Sequence, residues 1–576
     1  MVKWSHILPA WKRFWSVLIL VSLLGCMTFV LDSCKNKGKG KDSIEQAEEA
    51  NGVTDGSAIV NDLNDATFAV IREKGYLIGK MDDESYVLYI ETANKDNISG
   101  KYYLIDSTDN CSAPFQFKLQ REQDGFRLVT RTINSPVNFT LTVGSNALSG
   151  TVTTLEGQRE EHRFDFKRYV APKFKEQTST LYLKPQLSFT QVSDISYGKA
   201  KGYWTSYPME DDNRYGKMIL TLLPKTAVSK EQNLLLDLYL PEGDSLTKHP
   251  LLVILHGGAF FFGDKGNRNM RVWCEHFAQS GYVVAAVNYR LGFKISKASI
   301  QQCGYQAIQD AHAALRYLVA HADEYNIDPN FVFLAGTSAG SITALGTAFM
   351  NDGNCPPFVA KNKLVKKCGR LHTGGNEYRN EVKIKALANM WGAVYDLHEL
   401  DGKHIPVISF HGTADQVVPF HSGYPFSSIK GKMDERLFDE MYGSEAIHEY
   451  LDSLHVRNEF HPMENCGHAP HQEKNGTLNE HYYTIQNAMQ RFFYPELKSK
   501  TKVKNEKNDP TLYCLEDATI NHLSWQVTGG IILESDEHQV RVLWFQDAKK
   551  HVLRASGFNS IGAPFKQEWQ IPKLCS

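Results

Sequence analysis

A succession of short apolar runs, each ending in a glycine-containing turn, constrains this chain more than any other feature. Leu251-Leu252-Val253-Ile254-Leu255 leads into His256-Gly257-Gly258-Ala259-Phe260. Phe331-Val332-Phe333-Leu334-Ala335 leads into Gly336-Thr337-Ser338-Ala339-Gly340. Pro406-Val407-Ile408-Ser409-Phe410 leads into His411-Gly412-Thr413-Ala414-Asp415, and Cys466-Gly467-His468 follows the run at 456–463. A near-continuous apolar run is what a strand buried on both faces requires. Between the runs lie helical stretches: from Gln306 to Tyr325, Ala307, Ile308, Ala311, Ala314, Leu315 and Leu318 recur at helical spacing. Strands alternating with helices predict an α/β unit, a mostly parallel sheet flanked by helices, over residues 186–497.

At 576 residues the chain is too long for one ordinary domain. Residues 59–185 show a different texture, with short aromatic and β-branched runs such as Tyr86-Val87-Leu88-Tyr89-Ile90 and Phe139-Thr140-Leu141-Thr142-Val143. Several alternate apolar with polar residues, and Asp124-Gly125 and Glu156-Gly157 read as turns, so an all-β domain is expected there. A polar linker at 498–510 precedes a second β segment at 511–576, with Leu523–Val527, a Gly529-Gly530 turn and Val540–Phe545. The last segment is expected to be a small β-sandwich. Hydrophobic residues make up 42% and charged residues 22%, which excludes collagen-like and wholly disordered classes. Lys plus Arg total 63 against 65 for Asp plus Glu, so a general nucleic-acid footprint is unsupported.

The N-terminus reads as an address. Lys3, Lys12 and Arg13 precede an apolar run from Phe14 to Leu31. Leu23-Leu24-Gly25-Cys26 and Leu31-Asp32-Ser33-Cys34 both resemble lipobox cleavage sites of bacterial lipoproteins, although Asp32 departs from the usual pattern. Cys34 is favoured because it ends the apolar run and a polar tether follows over 35–58. A simple export signal and an uncleaved anchor are the other readings of 1–34. All three place the body of the chain outside the cytoplasm, membrane-attached in two of the three, where disulfides are permitted.

The turns carry residues of one chemistry. A serine flanked by glycines on a strand-to-helix turn is projected from the sheet edge, which makes Ser338 a candidate nucleophile. A hydroxyl is a weak nucleophile until a base takes its proton, the role assigned to His468. The imidazole needs a fixed tautomer and a counter-charge, the role assigned to Asp415. The backbone N–H groups of Gly258, Ala259 and Ala339 are candidates for an oxyanion hole. The chain order oxyanion loop, Ser, Asp, His supports the set as a whole. Asp396 is a rival acid, and His411 is read as structural. No metal-ligand spacing and no cofactor motif is found.

Residues 190–495 resemble the α/β-hydrolase carboxylesterases, nearest to the feruloyl-esterase-like and carbohydrate-esterase-like branch related to hormone-sensitive lipases. The likeness rests on the turns above with Asn288-Tyr289-Arg290-Leu291-Gly292, Gln309-Asp310-Ala311-His312 and Asn326-Ile327-Asp328-Pro329. It implies serine ester hydrolysis through an acyl-enzyme, with acetyl or hydroxycinnamoyl groups on carbohydrate as the expected esters. Ala259 stands where many members have a third glycine, and Thr337 where Glu or Asp is common. The C-terminal segment is similar to PKD-like, Ig-type modules through Ser524-Trp525-Gln526-Val527-Thr528-Gly529-Gly530. A serine peptidase of the prolyl-oligopeptidase kind and a catalytically silent binding protein of esterase fold are the alternatives. The segment 351–385, with Lys361, Lys363, Lys366, Lys367 and Arg370, is expected either as a cap closed by a Cys355–Cys368 disulfide or as a solvated loop. Cys274 with Cys303, and Cys514 with Cys575, are further candidate pairs. Phe260, Phe261 and Phe262 are expected in an acyl pocket or in the core.

Overall fold

The computed structural model describes residues 75–572 apart from 82–83, 94–96, 106–113, 123–124, 129–136, 144–147, 155–160, 205–226, 428–432, 474, 506–510 and 546. Cys26, Cys34, the tether and Cys575 therefore lie outside the described residues.

The first element of the fold is a closed antiparallel barrel of β1 (Gly75–Met81), β2 (Glu84–Ala93), β3 (Asn97–Ile105), β4 (Phe115–Glu122), β5 (Gly125–Leu128), β6 (Val137–Val143), β7 (Leu148–Thr154) and β8 (Glu161–Arg168). Each strand pairs with the next, and β1 closes onto β8 from Leu77↔Arg168 to Gly79↔Phe166. Closure leaves no sheet edge open to stray pairing. Tyr86, Leu88 and Ile90 fall on one face of β2 and are buried. Val87 on the other face is buried too, in a cluster with Tyr103, Ile105, Ile531, Leu543 and Phe545.

The α/β unit comprises Ser179–Ser499 with Ser560–Ala563. Its strands are β9 (Ser188–Gly202), β10 (Lys230–Glu242), β11 (His249–Leu255), β12 (Val283–Val287), β13 (Ile327–Thr337), β14 (Ile384–Met390), β16 (Val407–Gly412) and β19 (Asn458–Met463). The short strands β15 (Ala393–Val394), β17 (Ser422–Gly423) and β18 (Met441–Gly443) form a separate small sheet. The large sheet has the order β19-β16-β14-β13-β11-β12-β10-β9. β10 runs antiparallel to both its neighbours, and β12, β11, β13, β14, β16 and β19 pair in parallel. Counted from its first strand this is 1-2-4-3-5-6-7-8 with the second strand reversed, the sheet of the α/β-hydrolases.

Five helices cover the sheet: α1 (Arg268–Gln279), α2 (Lys297–Ala320), α3 (Ala339–Phe349), α4 (Ser444–Ser453) and α5 (Glu480–Phe493). The strand period of two decides which face each residue serves. Leu251, Val253 and Leu255 join a core with α2, α3 and α4, whereas Leu252 and Ile254 join the opposite core with α1 and α5. Every residue of α3 is buried, which explains its small-residue composition.

This layering settles two expectations about cysteine. Cys274 belongs to the core on one face and Cys303 to the core on the other, so the sheet separates them and both thiols are free. Cys355 and Cys368 are free as well. The Cys355 thiol donates to the Asn351 carbonyl at 2.9 Å, and the Cys368 sulfur accepts from Gln306 Nε2 at 3.8 Å. The disulfide-closed cap is therefore not formed. The segment connects the end of α3 to the start of β14, and packs along α2 through Val359, Leu364 and Leu371 against Tyr305 and Ile308. Gln309 Nε2 donates to the carbonyls of Cys368, Gly369 and Arg370, each at 3.0 Å. Its basic residues Lys361, Lys363, Lys366, Lys367 and Arg370 are exposed, as on an ordinary solvated face.

The C-terminal strands form two sheets. β20 (Val503–Asn505), β21 (Thr511–Leu515), β23 (Gly530–Ser535) and β24 (Gln539–Trp544) make one in the order β20-β21-β24-β23. β22 (Asn521–Thr528), β25 (His551–Phe558) and β26 (Pro564–Ile571) make the other. Trp525, Val542, Trp544, Leu553 and Phe565 supply a core shared by both.

Candidate active site

Ser338 sits between β13 and α3 with φ 53° and ψ −122°, a conformation non-glycine residues rarely adopt. Hydrogen bonds hold it there: Ser338 N donates to the Met390 carbonyl at 2.9 Å, and Ile342 N to the Ser338 carbonyl at 3.0 Å. The flanking glycines follow from packing. A Cβ at position 336 would lie 2.3 Å from the Gly340 carbonyl oxygen, and one at position 340 would lie 2.2 Å from that of Leu255. Only glycine lets the turn close this tightly.

Two loops meet this elbow. The turn after β16 carries Asp415 and the turn after β19 carries His468. They are tied together by Thr413 N to the Met463 carbonyl at 3.0 Å and Ala414 N to the Cys466 carbonyl at 2.9 Å. Thr413 Oγ1 also accepts from Asn465 N at 2.9 Å. The result is a continuous chain. His468 Nε2 is 2.9 Å from Ser338 Oγ, and His468 Nδ1 is 2.7 Å from Asp415 Oδ2. Asp415 Oδ1 accepts from Val417 N at 2.7 Å and Val418 N at 3.1 Å. Burial alone would push the Asp415 carboxyl pKa up. The charge of His468 and the hydrogen bonds from His411 and His468 outweigh it, holding the carboxyl well below the usual range. Behind His468, the ring of Trp391 stands edge-on at 6.4 Å and stacks on His471 at 4.8 Å. Burial pulls the His471 pKa down to about 3, so this ring is neutral near pH 7.

The loop after β11 takes three successive left-handed residues: Gly258 at φ 119°, Ala259 at 52° and Phe260 at 58°. It is clamped on several sides. Gly292 N donates to the Phe260 carbonyl at 2.9 Å, Trp204 Nε1 to the Phe261 carbonyl at 3.0 Å, and Tyr289 OH to the His256 carbonyl at 2.6 Å. A Cβ on Gly257 would stand 3.4 Å from Ser338 Cβ, so the loop lies against the elbow. Ala339 is the first residue of α3, where N–H groups point out of the helix unpaired. Phe260 and Phe261 are buried in the core, and Phe262 packs partly buried against it.

The other motif residues have structural partners. Asn288 Nδ2 donates to Asp264 Oδ2 at 2.8 Å, and Arg290 grips the fully buried Asp310 through Nε and Nη2 at 2.7 to 3.0 Å. Asp396 is not drawn to the serine. It caps the turn Leu397–Leu400, its side chain accepting from His398 N at 3.0 Å. The reading of sequence misses a buried polar network beside Asp415 formed by His411, Ser444, Asn389, Ser341 and Ser409. Asn389, a polar residue inside the apolar run of β14, is the signal that could have found it.

Comparison with known proteins finds a likeness to esterases. A family model described as BD-FAE matches residues 236–405. The chain is 31% identical over 96 residues to gut esterase 1 of Caenorhabditis elegans, which is 16% of this chain and 17% of that protein. It is 34% identical over 105 residues to acetyl esterase of Salmonella schwarzengrund (strain CVM19633), covering 18% of this chain and 29% of that protein. The matches thus span less than a third of either relative's length. Among solved structures, the apo form of Thermogutta terrifontis esterase 2 aligns with 46% of this chain and 90% of its own, at 21% identity and a TM-score of 0.31. A truncated carbohydrate esterase from gut microbiota aligns with 56% of this chain and 99% of its own, at 18% identity and a TM-score of 0.32.

Proposed function

We propose that this protein is a serine carboxylic-ester hydrolase acting through Ser338, His468 and Asp415. The observation that carries the reading is the unbroken chain from Ser338 Oγ to His468 Nε2 at 2.9 Å and from His468 Nδ1 to Asp415 Oδ2 at 2.7 Å. Ser338 Oγ attacks the ester carbon while His468 Nε2 takes its proton. The oxyanion that forms is received by the N–H groups of Gly258, Ala259 and Ala339. Collapse expels the alcohol, which leaves with the proton from His468. Water, activated by the same nitrogen, then releases the acid and restores the serine.

The substrate we infer is an acyl group on a hydroxylated, carbohydrate-like alcohol. The likeness to the acetyl esterase of Salmonella schwarzengrund suggests the ester part of this reading. The N-terminal segment suits export and lipid attachment at Cys34, and the C-terminal strands suit a PKD-like module; both belong to the proposal.

The test is hydrolysis of p-nitrophenyl acetate, longer p-nitrophenyl esters, a feruloyl ester, acetylated xylo-oligosaccharide and a prolyl peptide by the protein, beside Ser338→Ala. The proposal expects ester turnover abolished by the substitution. Turnover of the peptide alone would favour the peptidase alternative. No turnover of any substrate by either protein would favour the silent binding protein.

A further inference from the structure

Asp415 has a second histidine partner that the triad does not need. His411 Nε2 lies 3.2 Å from Asp415 Oδ2, the oxygen that also receives His468. The same nitrogen lies 3.3 Å from the Val418 carbonyl. It therefore faces two oxygens that can only accept, and must carry a proton to lie between them.

The far side of the ring is anchored as well. Gly392 N donates to Asn389 Oδ1 at 3.0 Å, and because a backbone N–H can only donate, that atom is the amide oxygen. Asn389 Nδ2 is then the donor, and reaches Ser409 Oγ at 2.9 Å and Ser444 Oγ at 3.0 Å. Ser444 Oγ, which accepts from Asn389, lies 2.8 Å from His411 Nδ1. The ring is thus held from its far side with the Nε2 proton directed at Asp415. Asn389, Ser409, His411 and Ser444 are all fully buried, so water does not blur these assignments. Gly392 is required as well, since a Cβ there would stand 2.5 Å from Asn389 Oδ1.

We propose that His411 is a positioning residue for Asp415: a donor, anchored by Asn389 through Ser444, that shares Oδ2 with His468 and so limits how strongly the carboxylate holds the catalytic imidazolium. The inference rests on the serine-hydrolase reading of the site and assigns it a fourth polar member. The titratable groups facing Asp415 are His411 from its own strand and His468 from the turn after β19; His468 also faces His471. The sign follows from the geometry. Without the His411 donor, Oδ2 becomes a stronger acceptor for His468 alone, and the imidazolium is favoured.

The experiment compares wild type with His411→Leu, His411→Gln and Ser444→Ala. One readout is the pH profile of kcat/KM on p-nitrophenyl acetate. The other is the downfield proton resonance of the His468–Asp415 hydrogen bond. His411→Leu should move the acid limb up by about one pH unit, as loss of one hydrogen bond to a charged group would. It should also move the proton resonance further downfield. His411→Gln, which still offers an N–H near the same place, should keep the wild-type limb within a few tenths of a unit. Ser444→Ala, which leaves the ring in place, should shift the limb in the same direction as His411→Leu but less, and decides the matter if the leucine variant does not fold. Wild-type limb and resonance in Ser444→Ala or in folded His411→Leu overturn the proposal. If wild-type protein turns over no ester, the hydrolase reading fails, and the resonance alone decides the role of His411.

Discussion

Replacing Asp415 with asparagine perturbs the proposed relay most sharply. The carboxylate accepts four N–H groups: Val417 and Val418 on Oδ1 at 2.7 and 3.1 Å, and His468 and His411 on Oδ2 at 2.7 and 3.2 Å. An asparagine offers one oxygen. The two backbone donors cannot turn away, so the oxygen stays with them and the NH₂ takes the place of Oδ2. It then confronts two more donors. His468 must present a bare Nδ1 to the amide, which moves its remaining proton to Nε2, facing Ser338 Oγ. A nitrogen that already carries the proton cannot accept one. A wrong tautomer in a Ser-His-Asp arrangement lowers kcat by about 10⁴-fold, which is about 5.4 kcal/mol of barrier at about 1.36 kcal/mol per decade. The assay is kcat/KM on p-nitrophenyl acetate from pH 7 to 10, with a thermal melt to verify folding. Part of the loss should return at high pH, where hydroxide replaces the missing base. Asp396→Asn is the control: asparagine caps a helix as well as aspartate, so activity should stay within twofold of wild type. An Asp415→Asn protein that folds and keeps a tenth or more of wild-type activity would refute the reasoning.

Three further outcomes follow from packing and charge. Gly340→Ala places a methyl group 2.2 Å from the Leu255 carbonyl oxygen and 2.4 Å from that of His256, both backbone atoms. It should cost about 3 kcal/mol in urea unfolding and abolish esterase activity. Arg290→Ala strips the fully buried Asp310 of its bidentate partner, and should destabilise the fold by about 3–5 kcal/mol in the same assay. His448 and His471 are kept neutral by burial, with pKa values lowered from 6.5 to about 4 and about 3. Because the folded values lie below the unfolded ones, their stabilising effect is present above pH 6.5 and is lost as pH falls toward 4. Each should remove about 1.4 kcal/mol of stability per pH unit in that window, and His471→Phe should flatten the slope of urea stability between pH 6 and 4.5.

Much of the site is legible in the sequence because local physics leaves few alternatives. A strand buried on both faces must read as an apolar run, so the ends of β11, β13 and β16 can be located, and with them Ser338 and Asp415. The glycines at 336 and 340 announce an elbow because no side chain fits there. What is hidden depends on contacts distant in sequence. The closure of β1 onto β8 joins residues about ninety positions apart, and no local pattern distinguishes a closed barrel from an open meander. The partner of His411 is equally hidden, since Asn389 and Ser444 lie on a different strand and on a helix. For 351–385 the solvated alternative holds and the disulfide-closed cap does not. The segment flanks α2, with Val359, Leu364 and Leu371 packed against Tyr305 and Ile308, a contact that the local sequence does not show. The basic residues there suggest a function only until they are seen to be exposed.

The central claim is that Ser338 is an activated nucleophile, and a covalent trap tests it most directly. The protein is incubated with a fluorophosphonate ester at pH 8, and the adduct is located by intact-mass and peptide mass spectrometry. The account predicts one adduct per chain, on Ser338, formed at least a hundredfold more slowly in His468→Ala and absent in Ser338→Ala. An adduct on another residue, or equal labelling of wild type and Ser338→Ala, would contradict it.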